Sequence, residues 1–269
     1  MVCGPLSASV TNEYSANGAV PTTVVTGPSA NAWIRVSTQP TGRIQQPLSE
    51  VVMASANAHK VTEIEAILRA TMPGLVVLPR PADGGDVIED SDSLLGNARL
   101  KAHALAQATG KPAVADDTGL FVDALGGDPG VDTAYYAGNN ATYSQNCQKL
   151  LIELHRVGAS TPSQRTASFV TVAMVAWPDG GELWAEGRVK GIITTAAQGD
   201  GGFGYDPIFA PLEMNRSNVA NTASAANTAS PENFDPVHLQ TFSELGEAAK
   251  NTMSHRSRAF VALAALLSA

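Results

Sequence analysis

Two short stretches carry residues whose types and spacing could do chemistry. In Ala113-Val-Ala-Asp-Asp-Thr-Gly-Leu120, two adjacent carboxylates, Asp116 and Asp117, follow a short apolar run and precede Thr118 and a glycine. A buried strand that ends in acids at a glycine turn would set them at the C-terminal edge of a sheet, where α/β proteins form ligand sites. In Ala54-Ser-Ala-Asn-Ala-His-Lys60, an apolar run breaks into small polar residues and a lysine, ahead of helical spacing. That junction offers backbone N–H groups and one cation to a phosphate, with Ser55, Asn57 and Lys60 as candidate ligands. An ordinary N-cap followed by a solvated lysine would carry the same letters. The two acids could hold Mg²⁺ and activate water, because hard cations prefer carboxylate oxygen. They could equally close an Asx turn. Taken together, acids and cradle suggest metal-dependent chemistry on a phosphorylated substrate.

Three further clusters bear on a site. Glu89, Asp90 and Asp92 could add a metal ligand or form a solvated acidic face. In Gly202-Phe-Gly-Tyr-Asp-Pro207, Phe203 stands between Gly202 and Gly204, which would let a flat base reach the backbone and stack, with Tyr205 and Asp206 following. A turn with a packed phenylalanine fits as well. In Lys250-Asn-Thr-Met-Ser-His-Arg256, Ser254 has the form of an N-cap, and His255 and Arg256 could donate to base carbonyls or to phosphate, or simply be exposed.

The elements that would position these residues alternate in type. Glu50–Ala54 reads as a strand, Val61, Ile64, Ile67 and Leu68 as a helix face, and Leu75–Leu78 as a second strand. Leu94, Leu95, Ala98, Ala102, Leu105 and Ala106 mark a second helix, stopped by Gly110 and Pro112. Short strands flank the paired acids. A helix follows over Tyr143–Arg156, then a hairpin of Thr166–Trp177 with Glu182–Val189, a glycine-dense loop at Gly199–Gly204, and a closing helix over Leu245–Leu267. Residues 1–48 are rich in small polar residues, Pro and Gly without periodicity, and are expected to form a disordered extension. The folded domain is expected to span 49–269, with a mobile low-complexity insertion at about 212–239.

Bulk properties exclude several classes. The 269 residues carry a net charge of −8, with 44% hydrophobic and 16% charged residues, which suits a soluble enzyme. A net negative chain lacks the basic face that non-specific nucleic-acid or membrane binding needs. The two cysteines, Cys3 and Cys147, form no metal or disulfide pattern and suit a reducing cytoplasm. No apolar run approaches bilayer length, and no basic segment before an apolar stretch suggests a signal peptide.

In their joint order these segments resemble the inosine triphosphate pyrophosphatase family. The matching blocks are A-S-A-N-A-H-K at 54–60, N-A-R-L-K-A at 97–102, A-D-D-T-G-L at 115–120, D-A-L-G-G-D-P-G-V at 123–131, G-G-F-G-Y-D-P-I-F at 201–209 and S-H-R at 254–256. The resemblance implies an α/β fold, a long mixed sheet with flanking helices in two lobes around a central cleft, and a homodimer. It implies hydrolysis of ITP, dITP and XTP to the monophosphate and pyrophosphate. Ser55, Asn57 and Lys60 would hold the triphosphate and Lys101 would face the phosphates. Glu89 and Asp117 would hold Mg²⁺ with Asp116 beside it, and Asp117 would be the general base. Thr118 would contact substrate. Phe203 would stack on the base beside Gly204, Tyr205 and Asp206, and Lys250, His255 and Arg256 would read the purine 6-oxo edge. Two departures stand out: Gly96 occupies a position where the family usually has Glu, and Tyr135 one where it usually has Arg. A catalytically weakened nucleotide-binding paralogue and a diphosphatase for another nucleotide are the alternatives.

Overall fold

The computed structural model describes residues 10–13, 22–26, 33–37, 48–82, 87–215 and 239–268. The chain forms two compact units. The first comprises Met1–Thr118, Thr171–Arg188 and Ser254–Ala269, and the second Gly119–Val170 and Val189–Met253.

The first unit contains strands β1 (Val10–Glu13), β2 (Thr22–Thr26), β3 (Trp33–Ser37), β4 (Glu50–Met53) and β5 (Val76–Leu78), and it shares with the second β6 (Ala113–Val122), β8 (Thr166–Ala176) and β9 (Glu182–Ile193). Their order is β1-β2-β3-β9-β8-β6-β4-β5. Parallel pairing of β4 with β5 and β6 and antiparallel pairing of β3 with β9 make the sheet mixed. Helices α1 (Ala58–Thr71), α2 (Leu94–Thr109) and α5 (His255–Leu267) belong to this unit. The apolar period read from the sequence is the buried one: Ile64, Ile67 and Leu68 of α1 share a core with Val51, Met53, Val114, Trp177, Phe260 and Leu263.

The second unit contains β7 (Pro129–Gly130) against β6, β10 (Phe209–Pro211) against β9, α3 (Tyr143–Arg156) and α4 (Phe242–Met253). Its core joins Leu120, Val122, Leu150, Leu154, Phe169, Tyr205, Phe209 and Phe242. Arg165 is buried there, donating to the carbonyls of Ala159, Ile193 and Thr194.

Two expectations need correction. The stretch 1–48, expected to be disordered from its composition, contributes β1, β2 and β3 among the described residues. Thr22–Thr26 and Trp33–Ser37 are rich in β-branched residues, and β3 extends an existing sheet by pairing with β9, so the meander needs no separate core. The closing helix is two helices, because Ser254 caps α5: its hydroxyl accepts from the Ser257 amide at 3.0 Å. The insertion placed at about 212–239 lies mostly outside the described residues. Among the described residues, no helix is long and apolar enough to cross a membrane.

Phe260 is wholly buried in the first core. Phe260→Ala should cost about 3–5 kcal/mol, read as a lowered urea midpoint. An unchanged midpoint would remove Phe260 from the core.

Candidate active site

The candidate residues divide between the two units. In the first, β6 does not turn at the paired acids but runs unbroken through them. Asp116 and Asp117 therefore lie in mid-strand, where consecutive side chains point to opposite faces. Their partners differ accordingly. Asp116 Oδ2 lies 3.1 Å from Lys60 Nζ and 3.4 Å from Arg256 Nε. Asp117 Oδ1 accepts from Lys101 Nζ at 2.8 Å, and its Oδ2 accepts from Asn97 Nδ2 at 3.4 Å. The expected acidic turn is thus a strand, held extended by pairing at both ends: Ala113 and Val114 against β4, Leu120 and Phe121 against β7.

The two buried acids are tuned in opposite directions. Burial pushes the Asp116 carboxyl up, but Lys60, Arg256 and Lys101 outweigh it and hold the group well below the usual carboxylate range. For Asp117 burial prevails over the opposing pull of Lys101 and Lys60, so its pKa is raised. One acid is fixed as an anion. Its neighbour is the better proton acceptor near neutral pH.

The phosphate cradle is a helix start. Asn57 is the N-cap of α1, its Oδ1 accepting from the amides of His59 at 3.1 Å and Lys60 at 3.3 Å. Ser55 Oγ accepts from the Asn57 amide at 3.3 Å, which tightens the turn ahead of the helix. A cavity of about 570 Å³ opens here, lined in part by Ser55, Ala56, Val61 and Arg80. Thr118, expected on substrate, donates to Asp116 Oδ2 at 3.2 Å and shares a 2.7 Å hydrogen bond with Thr171.

Lys101 Nζ also lies 3.0 Å from Glu89 Oε2, so it bridges Glu89 and Asp117 rather than standing apart for phosphate. Two carboxylates meeting on one positive group is donor chemistry that suits Mg²⁺, which takes one or two carboxylates and completes its shell with water and phosphate. Glu89 and Asp117 fit the ion on this ground. Asp116 does not share that position, because it is engaged with Lys60 and Arg256 on the other face of β6. No cluster of three His, Cys, Asp or Glu side chains at metal spacing occurs among the described residues.

Arg256 is 1% exposed, and its guanidinium is bound to Glu63 and Asp116, so it braces carboxylates. His255 beside it is buried as well. Sequence reasoning missed Glu63, whose second oxygen accepts from Ser254 Oγ at 3.0 Å. A signal was present: Glu63 follows Lys60 by three residues and adjoins the apolar stripe of α1, so it shares the buried face. Asn97 falls within a matching block but carried no expected role, yet it bonds Asp117 and accepts from the Ser91 amide at 3.0 Å.

In the second unit, Asp206 Oδ2 accepts from Lys250 Nζ at 2.7 Å and from the Phe203 amide at 2.8 Å. Lys250 Nζ stands 4.3 Å from the Phe203 ring centroid. Lys250 is therefore buried in an ion pair. Tyr205 is a core residue, 2% exposed, whose hydroxyl donates to the Thr133 carbonyl at 2.9 Å. Gly204 accepts from Cys147 Sγ through its carbonyl. Within Phe203–Asp206, Phe203 keeps a half-buried ring while Tyr205 and Asp206 are buried.

The two departures have plain structural settings. A Cβ on Gly96 would lie 1.8 Å from Ser91 Oγ, so the hydroxyl fills the space a side chain would need. Tyr135 is 58% exposed and braces nothing in the core.

Residues 51–231 match the model of the Ham1 family. A dITP/XTP pyrophosphatase of Streptomyces coelicolor is 39% identical over 218 residues, covering 80% of this chain and 96% of that protein. One from Caulobacter vibrioides is 36% identical over 223 residues, covering 81% and 98%. Among solved structures, the Coxiella burnetii HAM1 protein aligns with a TM-score of 0.65 at 33% identity, over 82% of this chain and 99% of that one. The Staphylococcus aureus Ham1 protein gives 0.64 at 32%, over 81% and 98%.

Glu63→Gln would take one carboxylate from the buried Arg256 and leave its charge leaning on Asp116. The variant should lose about 3 kcal/mol or more of stability, read by thermal unfolding. A loss below about 1 kcal/mol would mean that Asp116 balances the guanidinium without help.

Proposed function

This chain belongs to the Ham1 family, and we propose from that premise that it hydrolyses the non-standard purine nucleoside triphosphates dITP, XTP and ITP to the monophosphate and pyrophosphate, clearing them from the nucleotide pool. The observation that carries the reading is the pair of buried acids on β6, Asp116 held by Lys60 and Asp117 by Lys101, beside a capped helix start.

Asp117 is the proposed general base. Its raised pKa suits it to take a proton from a water attacking the α-phosphorus. Asp116, kept anionic, holds Lys60 next to the N-terminus of α1, where Ser55, Asn57 and the first amides orient phosphate oxygens. Lys60 and Lys101 offset the charge of the departing pyrophosphate. Mg²⁺ held by Glu89 and Asp117 would supply Lewis-acid polarisation of phosphoryl oxygen and water. In the second unit, Phe203 is the proposed ring on which the base stacks. A homodimer and a cytoplasmic location complete the reading.

A pyrophosphate-release panel across nucleotides tests it. ITP, dITP and XTP should exceed ATP in kcat/KM by orders of magnitude, because a site built for a 6-oxo group rejects a 6-amino group strongly. Equal rates on ATP, or no release from any purine, would overturn the assignment.

Two perturbations sharpen the chemistry. Asp117→Asn keeps the shape and removes the base, so turnover should fall at least about a hundredfold. EDTA should abolish hydrolysis, since an acidic cluster repels an unscreened triphosphate. Full activity in chelator would remove the metal from the scheme.

A further inference from the structure

The loop that carries Phe203 is tied down through its backbone: the Phe203 amide donates to Asp206 Oδ2 at 2.8 Å, and Ser243 Oγ donates to the Gly201 carbonyl at 2.6 Å. Gly202 and Gly204 flank the ring at φ values of 79° and 67°, a region that glycine enters freely. The ring is half-buried, and its side-chain contacts bear on where it points. One comes from Lys250, which is itself held by Asp206. A second comes from Tyr143, whose ring centroid lies 6.1 Å from that of Phe203 at an interplanar angle of 60°. This tilted geometry is one that aromatic pairs favour.

Tyr143 is well suited to hold a neighbour. It is the first residue of α3, and that helix start is locked by a reciprocal capping box. Thr142 Oγ1 accepts from the Gln145 amide at 3.2 Å, and Gln145 Oε1 accepts from the Thr142 amide at 2.7 Å. The ring is 39% exposed, more than a core packing role requires. A glycine-flanked phenylalanine thus leans on an aromatic fixed to a capped helix.

We propose that Tyr143 is a positioning residue for substrate recognition: its ring sets the Phe203 ring in the orientation that stacks on the nucleobase. The inference rests on the reading of Phe203 as the base-stacking ring. It places part of the affinity for the base in α3, outside the loop that touches it.

The test is steady-state ITP hydrolysis by the full chain carrying Tyr143→Ala, Tyr143→Phe, Phe203→Leu, or Tyr143→Ala together with Phe203→Leu. Tyr143→Ala should raise KM about twofold to tenfold, the scale of one aromatic pair, with kcat and melting temperature unchanged. Tyr143→Phe keeps the ring and should restore KM. In the Phe203→Leu background, Tyr143→Ala should add nothing. An unchanged KM in Tyr143→Ala, or the same rise persisting without Phe203, would overturn the proposal. A wild-type chain that hydrolyses no ITP would instead reject the activity. The same four variants, each carrying Asp117→Asn so that ITP persists, are then compared by ITP dissociation constant in calorimetry, with the same pattern expected and the same two outcomes against it.

Discussion

A carboxylate buried in a sheet is stable as an anion only when cations and N–H donors surround it, and β6 buries two in succession. Because a strand alternates its faces, one partner cannot serve both acids. Each face of β6 must bring its own cation. On one face, α1 delivers Lys60 and α5 delivers Arg256. On the other, α2 delivers Lys101 with Asn97, four residues apart on one helical face. The apolar stripes of these helices place them against the sheet, and their ionic partners then fix which turn of each helix lies over the acids.

The same constraint accounts for the difference between the neighbours. Asp116 sits among enough positive charge to overcome its burial, whereas Asp117 does not. Two identical side chains, adjacent in sequence, acquire different proton affinities from the helices above and below them. Glu63 belongs to this balance, because without it Arg256 would bring more charge to the interior than Asp116 alone receives.

Much of this was legible in the letters. Periodicity located α1, α2 and α3 and the strands around them, and the block order identified the family, because both signals are local. Two kinds of feature were not legible. Asp-Asp-Thr-Gly has turn composition, and its extended course is imposed by pairing with β4, which is remote in sequence, and with β7 just downstream. Arg256 and Lys250 looked like exposed donors because a positive side chain shows no sign of a buried partner such as Glu63 or Asp206 when that partner is many residues away. Tyr143 gave no signal at all, since its neighbour Phe203 is distant in the chain. In 1–48, low apolar content argued against order, but a strand that extends an existing edge borrows its partner's hydrogen bonds.

The contact between Gly96 and Ser91 bears on how this chain can change. The family resemblance leads one to expect a glutamate where Gly96 stands, and here the Ser91 hydroxyl occupies that volume. Restoring the acid alone would drive it into Ser91, and trimming Ser91 alone would open a gap at the start of α2. The two positions are therefore coupled: a larger residue at 96 needs room that Ser91 now fills.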